Sequence, residues 1–113
     1  MDTKVQALLS AFSDSREGVR LFAVRKAASC GAVVAPFLID LLKDNNYMTQ
    51  ECAAMALREM GEVAHPFLIE ALQSPDRTIR WQAAAVLASM GEKAHKAVRD
   101  SQRCIALNQT AAS

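Results

Sequence analysis

Residues 31–60 read GAVVAPFLIDLLKDNNYMTQECAAMALREM, and residues 61–90 read GEVAHPFLIEALQSPDRTIRWQAAAVLASM. The two stretches are identical at 11 of 30 positions without a gap. Three glycines, Gly31, Gly61 and Gly91, mark the same interval of 30 residues. A fixed period of this length predicts a repeat protein whose units stack side by side.

The register extends beyond these two stretches in both directions. Residues 5–20 align with residues 35–50, whereas the match weakens after Gly91, where Lys96 takes the place of the proline. A degenerate last unit is typical of a repeat whose outer face meets water. We therefore predict one domain over 1–113, with units at about 3–31, 32–61 and 62–91 and a C-terminal cap over 92–113.

Each unit is expected to form two helices, a short one and then a longer one. Pro36 and Pro66 suit the first turn of the short helix, where a missing N–H costs little. The glycines suit the left-handed position that ends the longer helix. Asp14 with Glu17, and Ser74 with Pro75, match helix-start patterns. The predicted short helices are 3–13, 35–44, 65–73 and 93–106, and the predicted long helices are 16–30, 46–60 and 75–90.

One stripe of each long helix is expected to form the core. Alanine at the middle of the stripe lets neighbouring helices approach closely, while leucine and methionine fill the ends. Because one helix pair cannot bury both of its faces, the units must stack. The stripes are Val19, Ala23, Ala27 and Cys30; Thr49, Ala53, Leu57 and Met60; and Ile79, Ala83, Leu87 and Met90.

Composition agrees with one helical domain. The chain has 113 residues, 51% of them hydrophobic and 5% aromatic, with a net charge of +1. The near-zero charge opposes a nucleic-acid binder. Cys30, Cys52 and Cys104 are too few and too widely spaced for a disulfide framework or a metal site, and are expected to be small apolar filler. The chain shows no signal peptide and no long apolar run, so we expect a cytoplasmic protein without membrane attachment.

The short helix at residues 35–42 (APFLIDLL) and the long helix at residues 79–91 (IRWQAAAVLASMG) resemble HEAT repeats. They are similar to the short HEAT-like repeat of the phycobilisome lyase type, and the resemblance covers nearly the whole chain. It implies an all-α fold, a short right-handed α-solenoid of HEAT-like helix pairs with a 30-residue period. Thr49 and Gln50 depart from the pattern, which has Val or Ile and then Arg. Such repeats serve many roles, so the resemblance specifies fold more than function.

The resemblance also implies where a partner binds, because the second helix of each HEAT-like unit generally lines the concave face. A solvated helix face is normally charged. Here the variable positions form an apolar strip with charged edges, which is typical of a protein-binding groove. The candidate partner-binding residues are Leu21, Phe22, Arg25, Glu51, Cys52, Met55, Glu59, Trp81, Gln82 and Ala85.

Three of these side chains have a competing structural interpretation. Trp81 either anchors a partner or packs between adjacent long helices, and Trp is enriched among interface hot spots. Phe22 is expected to pack in the core, and Met55 suits either place. Arg20 and Arg80, at the starts of two long helices, are expected to reach Asp40 and Glu70 and so tie successive units together.

The sequence offers no motif for catalysis, a cofactor or a metal. His65 and His95 lie one repeat apart, so we expect about 8–10 Å between them, too far for one metal ion. We therefore predict a non-enzymatic protein–protein interaction or scaffold module with an unidentified protein partner.

Two other functions and one assembly stay open as alternatives. The chain resembles bilin lyases, which would make it an accessory subunit of an enzyme. It also resembles HEAT-like DNA glycosylases for alkylated bases, as a degenerate relative. A glycosylase is disfavoured because the candidate surface carries one cation, Arg25, beside the two acidic residues Glu51 and Glu59. Phosphate binding requires a cluster of Lys and Arg. The exposed ends of a short solenoid leave open a homodimer or a continuation of the repeat in a longer chain.

Overall fold

The computed structural model describes residues 3–112, and the side chains of residues 3–103. This part of the chain contains helices and turns and no strand, which confirms the all-α fold. The predicted helices all form, with bounds within three residues of those expected, except that the last helix runs to 112 instead of 106. The helices are α1 (Thr3–Ser10), α2 (Glu17–Ser29), α3 (Ala35–Leu41), α4 (Tyr47–Met60), α5 (His65–Ala71), α6 (Arg77–Ser89) and α7 (Glu92–Ala112).

The helices form two layers. The first helices α3, α5 and α7 pack on one another in succession, and the second helices α2, α4 and α6 do the same. Short 3₁₀ turns at Ala11–Ser13, Gly31–Val33 and Gly61–Ala64 connect or precede the helices. The second helices start at residues 17, 47 and 77, which are 30 apart. The molecule is elongated, 52 × 26 × 24 Å, as expected for an α-solenoid.

The core lies between the two layers. Its largest fully buried side chains come from both layers and include Phe12, Leu38, Leu57 and Leu68. Eight residues of the expected stripes are buried: Ala23, Ala27, Thr49, Ala53, Leu57, Ile79, Ala83 and Leu87.

The ends of the stripes differ from the prediction. Cys30 is exposed, because it is the C-terminal cap of α2 at the edge of the solenoid, where its Sγ lies 3.3 Å from the Lys26 carbonyl oxygen. Val19, Met60 and Met90 are half-buried. The side chain of Cys104 lies outside the described residues.

A side chain near the start of each second helix braces the turn before it. Arg20 Nη1 donates to the Asp14 carbonyl at 2.7 Å, and Arg80 Nη1 donates to the Ser74 carbonyl at 2.6 Å. Gln50 Nε2 makes the equivalent bond to the Asp44 carbonyl at 2.5 Å. The expected pairing of the two arginines with Asp40 and Glu70 is therefore wrong. Each brace joins residues six apart inside one unit, and the amide of Gln50 can do this as well as a guanidinium.

The starts of α4 and α6 are capped by side chains that the sequence patterns did not single out. Asn46 Oδ1 accepts from the backbone N–H of Met48 at 2.9 Å, and Asp76 Oδ1 accepts from that of Thr78 at 2.8 Å. Ser74 is therefore not the cap of α6; its hydroxyl oxygen accepts from the Asp76 N–H at 3.1 Å.

The start of α2 is different, because its N-cap residue Arg16 makes no side-chain cap bond and no capping box forms. Asp14 instead accepts from the backbone N–H of Arg16 at 2.8 Å and from its guanidinium at 3.0 Å. These charge-assisted bonds lower the pKa of Asp14 from 3.8 to about 2. The turn before α2 is therefore held by a carboxylate that stays ionised through most of the acid range.

The repeating glycines adopt positive φ as expected, with values of 68° at Gly31 and 65° at Gly61. At Gly61 the ψ angle is −135°, a combination that side chains with a Cβ rarely adopt. A Cβ there would meet no atom within 4 Å, so substitution strains only the backbone.

We expect Gly61→Ala to lower the free energy of unfolding by about 1–3 kcal/mol, measured by urea denaturation. The control is Gly18→Ala, in the first turn of α2, where a Cβ also meets open space but the backbone is helical. This control is expected to stabilise by about 0.5–1 kcal/mol. Equal effects of the two substitutions would show that the backbone of Gly61 is unstrained.

Candidate functional site

The outward surface of the second helices is built from three sets of equivalent positions. Each set takes one residue from α2, α4 and α6, and successive members lie side by side because those helices pack in order. The sets are Leu21, Glu51 and Trp81; Arg25, Met55 and Ala85; and Ser29, Glu59 and Ser89. None of these nine residues is fully buried, so this surface is open to a partner.

Trp81 is the most exposed large hydrophobic side chain on this surface. It is 75% exposed, with exposed Arg77 one turn before it and exposed Ala85 one turn after it on α6. The alternative in which Trp81 packs between adjacent long helices is therefore wrong. Tryptophan is rarely so open to water, since its large ring gains most from burial.

Cys52 was expected on the same surface and does not lie there. It is only 3% exposed, and its Sγ lies 3.5 Å from the carbonyl oxygen of Phe12 in the preceding unit. The side chain at position 52 therefore faces the preceding unit and not the solvent. Burial raises the pKa of the Cys52 thiol, which favours the unreactive protonated form.

Phe22 occupies the position in α2 that corresponds to Cys52, but no described helix packs over it. It is 62% exposed, so the expected core packing of Phe22 is wrong. Lys26 Nζ lies 5.8 Å from the centroid of its ring, a cation–π contact at the surface. The third member of this set, Gln82, is half-buried. Phe22 thus belongs to the N-terminal end of the solenoid.

Two exposed residues at the start of α4 extend the surface beyond the sequence prediction. Met48 is exposed and lies one turn before Glu51 and two turns before Met55, and Tyr47 beside it is also exposed. Met55 itself is half-buried and packs against the core. The signal in the sequence was a pair of large apolar residues in the first turn of a long helix, where the other two units have polar residues or glycine.

Four charged side chains border the apolar positions. Arg25 and Arg77 alternate along the surface with Glu51 and Glu59. Within the residues whose side chains are described, none of the four takes part in an ion pair or a side-chain hydrogen bond. Their charges are therefore available to a partner.

An ion pair and a hydrogen bond between units lie elsewhere, at the edge where the glycine turns are. Lys93 Nζ lies 2.7 Å from Glu62 Oε1, and this bond lowers the pKa of Glu62 and raises that of Lys93. Arg58 Nε donates to Ser89 Oγ at 2.8 Å, which joins α4 to α6. Both ion-pair partners are exposed, so the pair contributes little to stability. This edge is polar and structural in character.

The two histidines take different structural places. His65 is buried at the start of α5, and His95 Nε2 lies 3.1 Å from the Ala88 carbonyl oxygen. No three His, Cys, Asp or Glu side chains converge on a metal-sized site in the described part of the chain. Among the same residues, none of the helices combines the length and apolar character needed to cross a bilayer.

Stacked helix pairs with buried alanines and an outward row of variable residues define an α-solenoid repeat protein. Comparison with family models identifies the kind of repeat, because residues 5–88 match the model of HEAT repeats. The chain belongs to the HEAT repeat family.

A solved crystal structure of an engineered protein is similar over 89% of this chain and 52% of its own length, with 21% identity and a TM-score of 0.38. The chain thus spans about half the length of that protein. No curated protein matches it.

Proposed function

We propose that this chain binds a partner protein on the outward surface of its second helices. We name as the apolar strip Leu21, Met48, Met55, Trp81 and Ala85. The exposure of Trp81, at 75%, is the observation that carries the proposal. An isolated domain has no stability gain from so exposed an indole ring, whereas an interface gains most from a tryptophan anchor.

The composition of the surface supports a protein partner over a nucleic acid. Trp81 offers a rigid ring, and the two methionines offer flexible side chains that adapt to a partner. Around them, Arg25 and Arg77 alternate with Glu51 and Glu59. Mixed charges at a rim direct the orientation of a protein partner, whereas phosphate binding requires a one-sided cluster of Lys and Arg.

The proposal includes a non-enzymatic scaffold role in a reducing compartment. The apolar strip contains no side chain that titrates near neutral pH, so it supplies no general base or nucleophile. Cys30 and Cys52 are free thiols, which suits the cytoplasm.

We expect Trp81→Ala to weaken partner binding about thirtyfold, corresponding to about 2 kcal/mol. Its free energy of unfolding should change by less than about 0.5 kcal/mol, because the ring is exposed. The partner is first isolated on the immobilised wild-type chain and identified. Its Kd is then measured by calorimetry with the purified chain and each variant.

The matched control is Val33→Ala, since Val33 is as exposed as Trp81 but lies in the turn between α2 and α3, outside the strip. It should leave the Kd unchanged. Unchanged binding by Trp81→Ala, or a loss of several kcal/mol in its stability, would remove the basis of the proposal.

A further inference from the structure

A groove of about 500 Å³ runs between the first helices α3 and α5, and we name it the first-layer groove. Both of its walls belong to inner units, since α3 packs on α5 and α5 packs on α7. The turn between α5 and α6 also contributes to its lining. The apolar lining residues are Pro36, Ile39, Phe67, Ala71, Pro75 and Ile79.

Each wall of the first-layer groove carries one exposed carboxylate. Asp40 lies on α3, and Glu70 lies at the equivalent position of α5, 30 residues later. Within the residues whose side chains are described, neither carboxylate forms an ion pair or a side-chain hydrogen bond. No described cation lines the groove, and the guanidinium of Arg80 is bonded to the Ser74 carbonyl at 2.6 Å. The groove therefore combines an apolar lining with two unpaired negative charges.

The two carboxylates stand where a helix disfavours negative charge. Both lie in the last turn of their helix, where backbone carbonyls carry a partial negative charge. Neither of these last turns contains a basic residue. A cation placed in the groove would therefore be attracted by the carboxylates and by the helix carbonyls together. This charge distribution favours a positively charged occupant.

We propose that the first-layer groove binds a short segment of a partner protein through an arginine side chain. The stem and the planar guanidinium pack over Ile39 and Phe67, which are half-buried. The guanidinium donates to Asp40 on one wall and to Glu70 on the other. Helices packed in this way have axes about 8–10 Å apart, and five N–H donors can serve carboxylates on both sides of that gap.

This site is separate from the proposed function, because no residue of the apolar strip lines the first-layer groove. The charges also differ in kind. Arg25 and Arg77 alternate with Glu51 and Glu59 around the strip, whereas the charged residues that line the groove are both acidic. A failure of one site would therefore leave the other untouched.

The probe for the test is a fluorescein-labelled peptide of six residues in which leucine and arginine alternate. Its binding to the full chain is followed by fluorescence anisotropy, and we expect it to be saturable. A comparison peptide with citrulline in place of arginine keeps the length and planar shape of the side chain without its charge. It is expected to bind at least tenfold more weakly, because the charge-assisted hydrogen bonds are lost.

Glu70→Gln should weaken the arginine peptide at least fivefold, and its combination with Asp40→Asn should weaken it at least twentyfold. The matched control is Glu17→Gln, which makes the same change at an exposed glutamate of α2 outside the groove. It should change the Kd by less than twofold. The comparison separates binding in the groove from general attraction between a basic peptide and an acidic side chain.

A melting curve without peptide separates a binding role from a structural one. The double variant Asp40→Asn, Glu70→Gln should melt at a higher temperature than the wild type, because it removes negative charge from two helix C-terminal turns. A lower melting temperature would show that the carboxylates stabilise the fold, and it would overturn the proposal.

Four further results would also overturn it. They are no saturable binding of the arginine peptide, equal binding of the citrulline peptide, equal effects of Glu70→Gln and Glu17→Gln, and a wild-type dimer in sedimentation that the double variant dissociates. The last would assign the groove to a second copy of this chain.

Discussion

Phe12→Ala is expected to lower the free energy of unfolding by about 3–5 kcal/mol, the usual cost of removing a buried aromatic ring. Phe12 is fully buried in the turn after α1, and this turn contacts both α2 and α4. Its ring therefore lies buried where the first unit meets the second. Since domains of this size are stable by only about 5–15 kcal/mol, the loss is a large share of the total.

Urea denaturation followed by circular dichroism measures this loss, and hydrogen exchange locates it. Because repeat units contact only their neighbours, amides of α1 and α2 should exchange before those of α5 and α6. The control is Phe22→Ala, whose ring is exposed at the N-terminal end and whose loss should change stability by less than about 0.5 kcal/mol. Similar costs at both positions would contradict the placement of Phe12.

Ala83→Asp should destabilise the chain by about 3–5 kcal/mol at pH 7, because it places an unpaired carboxylate in the core. Ala83 is fully buried in α6, whereas Ala85 two residues later is exposed. The control Ala85→Asp is therefore expected to change stability by less than about 0.5 kcal/mol. The pair tests whether the position of each alanine matters, as close helix packing requires.

The loss at Ala83→Asp should also depend on pH with a definite sign. Burial raises the folded-state pKa of the new carboxyl above its unfolded value of about 3.9. The folded state therefore accepts the neutral acid better than the ion. The difference in stability from the wild type should shrink as pH falls toward 4 and grow as pH rises. A difference that stays constant between pH 4 and 7 would show that the carboxylate escapes to water.

The helices could be predicted from the sequence because the chain repeats its own signals. Pro36 and Pro66 mark the first turns of α3 and α5, and the glycines mark the ends of the long helices. The buried alanines follow the same register, since a position required for close packing in one unit is required in the next. The capping residues were harder to predict, because several polar residues near a helix start compete for the same backbone N–H groups.

The outward surface could be predicted only in part. The sequence identified the positions of Trp81 and Met55 as variable, but it treated the neighbouring position of Cys52 in the same way. Adjacent helix positions differ by about 100° in direction, and only the packing between units decides which of them faces solvent. Phe22 and Ala84 are exposed although the equivalent Cys52 and Ala54 are buried, a difference that no local pattern encodes.

The braces made by Arg20, Gln50 and Arg80 have a consequence for how such a chain can change its length. Each brace closes the turn of its own unit and needs no residue from another. An in-frame duplication of one period therefore inserts a unit that already contains the hydrogen bond closing its turn. It also adds one more second helix to the outward surface. A gene encoding this chain can in this way lengthen or shorten its product in steps of one unit while every surviving turn keeps its internal bond.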